Sequence, residues 1–130
     1  MKSSIVVAGS RVLVVDEDRE TVNAIWGALH DCRVAREMSG RDVLVRLARG
    51  ERYDIIFCAL MMREMTGAEL FLRVARMDPA QAERIVFVTE AGGFSDEFLA
   101  EHRALEMPIE AKSVRAVAAT VIDDLAHVAA

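Results

Sequence analysis

Five short strand-like stretches, each followed by an amphipathic one, constrain this 130-residue chain more than any other feature. They lie at 11–15, 32–37, 53–58, 84–89 and 104–109. Each has the length of one strand, and each intervening stretch has room for one helix. Residues 20–29 place Val22, Ile25, Trp26 and Leu29 on one helical face, and 40–49 do the same with Val43, Leu44 and Leu47. Ser39 is the expected N-cap of that second helix and Gly50 its stop. A third helix spans about 68–77 with Leu70, Phe71 and Val74 inward, closed by Asp78-Pro79. Ser95 is expected to cap a fourth, running through Arg103. Ser113 is expected to cap a fifth, where Val114, Val117, Ala118, Val121, Ile122 and Leu125 form one stripe. Residues 1–10 show no pattern. The alternation predicts one α/β domain, its core at about 11–128, with a doubly wound parallel sheet covered on both faces. Among such folds the flavodoxin-like (βα)5 strand order 2-1-3-4-5 fits best.

Composition supports a covered sheet. Hydrophobic residues make up 53% of the chain, yet no apolar run approaches the ~20 residues of a membrane span. Residues 5–8 are too short for the apolar part of a signal peptide, so a cytoplasmic location is expected. The net charge of −5 and the scattering of arginines among acids argue against a nucleic-acid-binding face. Cys32 and Cys58 are far apart in apolar surroundings and are expected to be buried thiols, neither disulfide nor metal pair. His30, His102 and His127 share no ligand spacing.

The central run and its sequel, Ala59-Leu60-Met61-Met62-Arg63-Glu64-Met65-Thr66-Gly67, resemble the third strand and loop of a response-regulator receiver domain. There the usual form is Asp-Leu-Met-Met-Pro, two residues, then Asp-Gly. The resemblance extends from Arg11 to about Leu125. It implies that Asp16 and Glu17 correspond to the acidic pair that holds Mg²⁺, and Thr89 to the hydroxyl that binds the phosphoryl group. It also puts Ala59 at the phosphoacceptor, Arg63 at the proline, Thr66 at the second aspartate, Met107 at the lysine and Ala104 at the aromatic switch. The nucleophile and its cation are therefore both missing. Aspartyl phosphorylation needs a carboxylate nucleophile and cations for the charge developing on the phosphoryl oxygens. Losing one member of a buried ion pair strands a charge, whereas replacing both with apolar groups is often neutral or stabilising. The substitutions follow that second route, so the resemblance implies a stable pseudo-receiver.

That reading expects no enzyme activity and no cofactor beyond weak Mg²⁺ at Asp16 and Glu17, a poor ligand count for that ion. Asp18 is expected to cap the first helix. Partners implied by the resemblance are a histidine kinase, a phosphotransfer protein or an output domain. Its contact face would be the last helix-strand-helix unit, which also offers a homodimer surface through Ala116, Ala119, Thr120 and Asp123 on the final helix. Trp26 on the first helix is the other interaction candidate. Two alternatives keep chemistry in the chain. One is a receiver phosphorylated, or Mg²⁺-dependent, through the residual acids. The other is a phosphatase resembling the haloacid dehalogenases, using Asp16 and Asp18. The latter family wants Thr or Val two residues after the second aspartate, where this chain has Glu20. Flavin binding is disfavoured because three acids after the first strand would repel a phosphate.

Overall fold

Strands β1 (Arg11–Val15), β2 (Arg33–Glu37), β3 (Ile55–Ala59), β4 (Ile85–Thr89) and β5 (Arg103–Glu106) form one parallel sheet in the order β2-β1-β3-β4-β5. This computed structural model describes residues 7–90, 92–93 and 95–129, except for the side chains of 126–129. His127 and most of the lead segment therefore lie outside the described side chains. The sheet is the predicted one, with flavodoxin-like topology. All five residues of β3 are buried, as a strand flanked on both sides and covered on both faces requires. The edge strands carry charge instead, with Arg33 and Arg36 on β2 and Glu106 on β5.

Alternation along the strands divides the core in two. Val12, Val14, Ile55 and Phe57 face α1 (Arg19–Ala28) and α6 (Ala111–Ala129). Leu13, Val15, Ile56 and Cys58 face α2 (Gly40–Ala48) and α3 (Gly67–Met77). Between α3 and β4 lies one extra turn, α4 (Pro79–Ala82), directly after the Asp78-Pro79 stop expected for the third helix. Asp78 caps it by accepting from the backbone N–H groups of Ala80 and Gln81, with Pro79 at the first helical position. The buried Gln81 amide then clamps Tyr53, accepting from its N–H (2.8 Å) and donating to its carbonyl (3.1 Å). No helix among the described residues is long and apolar enough to cross a membrane.

Several expectations need correction. Trp26 is not on the inward face: it is 44% exposed, with the Arg36 guanidinium 4.4 Å from its ring centre. The buried face of α1 centres on Ile25 and includes Thr21 and Ala28, leaving Trp26 about a quarter turn away. Cys32 precedes β2 and is only partly buried, its thiol donating to the Val7 carbonyl, while Cys58 is fully buried; both are free. The fourth predicted helix is shorter than expected. It is α5 (Asp96–Glu101), capped by Ser95, because Arg103 already pairs with Val86 in β5. The last strand ends at Glu106, so Met107 and Pro108 lie beyond it; proline has no N–H for the ladder. Ser113 sits inside α6, which begins two residues earlier as Val114 N–H bonds the Glu110 carbonyl. Ala119 packs against the core instead of facing outward.

Candidate functional site

The ends of β1, β3 and β4 and the segment after β5 enclose a crevice of about 500 Å³. Asp16, Ala59, Thr89 and Met107 all line it. Glu17 does not. Its carboxylate turns to Arg63, accepting from the backbone N–H (3.2 Å) and from Nε (3.4 Å). Both donors exist because the residue is arginine; a proline there would supply neither. The acidic pair of the sequence is thus divided, one member in the crevice and the other held at its rim.

Asp16 remains as the deepest carboxylate. Its Oδ1 accepts from the Asp18 N–H (2.9 Å), and burial holds its carboxyl above the ordinary aspartate value. Asp18 is spent on α1: one oxygen accepts from Glu20 N–H (3.2 Å), the other from the Thr21 hydroxyl (2.8 Å). Ala59 is 6% exposed and offers no donor or acceptor on its side chain. Met107 is fixed through its backbone, donating to the Thr89 carbonyl (2.8 Å), while its side chain packs against the core beneath α6. Among the described residues, the lining of the crevice includes Asp16, Asp18 and Glu90 but no lysine or arginine.

Two glycines set its walls. A Cβ on Gly67 would strike the Ala59 carbonyl, so α3 starts directly against the end of β3. A Cβ on Gly93 would lie 2.7 Å from the Thr89 hydroxyl, which the loop after β4 therefore covers closely. That loop is tied across to β5 where Gly92 N–H donates to Glu106 (2.7 Å). Thr66, at the family's second aspartate, forms a full capping box with Glu69 at the start of α3. The sequence reading noted Thr66 only as a replacement; Thr-Gly-Ala-Glu was the signal for its role.

Mg²⁺ is the ion the fold implies here, and it wants carboxylates together with phosphate and water. The donors do not fit it. Glu17 is engaged by Arg63, Asp18 by the helix, and the Ala59 side chain contributes nothing, which leaves Asp16 and the exposed Glu90. Among the described residues, no three His, Cys, Asp or Glu side chains group as metal ligands.

The remaining predicted residues stand away from the crevice. Ala104 pairs with Phe87 in the sheet and, with Ala116 and Thr120, lines a shallow groove of about 270 Å³ along α6. The Thr120 hydroxyl donates to the Ala116 carbonyl (2.9 Å). Asp123 is partly buried on the same helix. The aromatic residues that composition gave no means of placing cluster under α5. His102 stacks on Phe98 (4.3 Å between ring centres) and meets Phe71 edge-on (5.2 Å).

No protein-family model matches the sequence, and no curated protein is detectably similar to it. Solved structures do resemble it. A protein described as an adenylate cyclase from Rhodopirellula baltica superposes with a TM-score of 0.80 at 20% identity, covering 93% of each chain. A putative response regulator from Chloroflexus aurantiacus gives 0.77 at 21% identity, covering 88% of this chain and 98% of its own. A response-regulator receiver domain from Clostridium thermocellum gives 0.77 at 17% identity, covering 92% and 98%. These likenesses establish a receiver-type fold.

Proposed function

We propose that this chain is a receiver-like module of two-component-type signalling that works by protein contact, without aspartyl phosphorylation. One observation carries the reading: where the strand ends meet, a buried alanine stands in place of a nucleophile, and among the described residues no lysine or arginine lines the crevice. Phosphoryl transfer to aspartate requires an acceptor carboxylate and cationic stabilisation of the phosphoryl oxygens. Neither is supplied. The residual carboxylates are poor substitutes, since Asp18 is committed to the helix end and Glu17 to Arg63. The same commitments count against a phosphatase using Asp16 and Asp18, and the module is proposed to be no enzyme.

A cytoplasmic histidine kinase, phosphotransfer protein or output domain is the proposed class of partner. The face built from α5, β5 and α6 is one contact candidate, with Ala116 and Thr120 exposed on it. The exposed Trp26 on α1 is the other. Incubation with acetyl phosphate and Mg²⁺, followed by intact mass measurement, tests the central claim. An unchanged mass is expected. An added phosphoryl mass that hydroxylamine removes would overturn it.

A further inference from the structure

The net charge of −5 is not spread evenly. Residues 1–78 carry twelve acids and twelve bases, whereas the rest of the chain carries nine acids against four bases. Within that acidic part α5 stands out. Its Asp96, Glu97 and Glu101 make no hydrogen bond or ion pair among the described residues, none of its residues is buried, and Leu99 is 41% exposed. It is a short acidic helix with one apolar side chain facing out.

On the other side of α3 lies a groove of about 700 Å³ between α2 and the loop after β3. Its floor is apolar and pliant: Met38, Leu44, Met62 and Met65, of which Met38 is 65% exposed. Methionine suits surfaces that adapt to a guest. Arg41 and Arg73 stand on its rim. Arg41 has no ion pair among the described residues, and Arg73 has only the electrostatic company of Glu69 one turn away. Glu17 is neutralised by Arg63, which leaves Glu64 as the remaining acid of the lining.

The two features complement each other in charge and in polarity of surface, but α3 stands between them, with Arg73 lining the groove and Phe71 meeting His102 below α5. They cannot meet within one chain. We infer that copies of this chain associate head to tail, α5 of one copy seated in the Met38–Arg41–Arg73 groove of the next. Head-to-tail contacts do not close at two subunits unless the rotation happens to form a ring, so growth beyond a dimer is expected. The surface is small, which makes the contact weak and salt-sensitive.

Sedimentation velocity on the full chain tests this, with no dependence on whether any aspartate is phosphorylated. From about 10 µM to about 1 mM at low salt, the mean sedimentation coefficient should climb past that of a dimer; about 0.5 M salt should return it to the monomer. Arg41→Glu with Arg73→Glu should weaken association at least ~10-fold, and so should Glu97→Arg with Glu101→Arg. An equimolar mixture of these two variants should associate again, because each now presents the charge the other lacks. Glu101→Arg alone, at a helix end where a cation is welcome, gives a milder version if the double change disturbs α5. Circular dichroism should match the parent throughout. A chain that stays monomeric at about 1 mM and low salt overturns the inference. So does association indifferent to the arginine reversals, or a mixture that fails to recover it.

Discussion

Two helices on the same face of the sheet, α3 and α5, are held in opposite ways. On one side α3 is eleven residues long, begins with the Thr66–Glu69 capping box, and buries Leu70 and Val74 completely. Its first residue, Gly67, abuts the carbonyl of Ala59. On the other side α5 has six residues and buries none of them; Phe98, stacked on His102, is its inward contact. The firmly held helix is thus the one that starts against Ala59, while the lightly held one carries the unpaired acids. What differs is how firmly the chain on each side resists displacement, and helices with few buried contacts are the ones that open at least cost.

That contrast can be broken by truncating one leucine on each side. Leu70→Ala should cost about 3–4 kcal/mol of stability, because its site cannot collapse. Leu99→Ala, on the exposed face of α5, should stay within about 0.5 kcal/mol. Urea denaturation measures both, and similar values would abolish the distinction. A second test sharpens it at the junction of the two halves. Ala59→Asp places a second carboxylate beside Asp16 with no cation, and should cost about 2–3 kcal/mol. Adding Met107→Lys should recover about 1 kcal/mol or more, visible as coupling in a double-mutant cycle. Simple additivity would mean that the two positions were lost independently.

The smallest effect concerns pH. Burial holds the Asp16 carboxyl above its usual value, so its ionisation opposes folding. The stabilising contribution is fully present below the unfolded value of 3.8 and is lost as pH rises through the higher folded-state value. Asp16→Asn should therefore raise the melting temperature at neutral pH and bring no gain below pH 3.8. A gain that persists in acid would assign the effect to something other than charge.

The sheet was legible because its signals are redundant. The three central strands are dense apolar runs, each long helix has its stripe, and short connections leave few topologies. Convergence of Asp16, Ala59, Thr89 and Met107 followed from topology alone, since strand ends in this fold share one rim. Side-chain direction outside the strands was another matter. Glu17 follows Asp16 directly, and nothing local says that it turns away; that depends on Arg63, forty-six positions on. Trp26 was misplaced because a large apolar residue at the margin of a stripe looks inward by composition, whereas the Arg36 guanidinium gives its face a partner at the surface. The start of α6 was misjudged for a related reason: Ser113 is a favourable cap by type, yet the chain had already turned helical at Ala111.

Cys58 adds a consequence of its own. It lies at the middle of the sheet with no solvent exposure, and burial pushes its thiol up to about 12. An alkylating reagent at mildly alkaline pH can reach it as a reactive thiolate only when β3 parts from its neighbours. The molecule thus carries a built-in clock: the rate at which that sulfur is capped counts how often the central strand lets go.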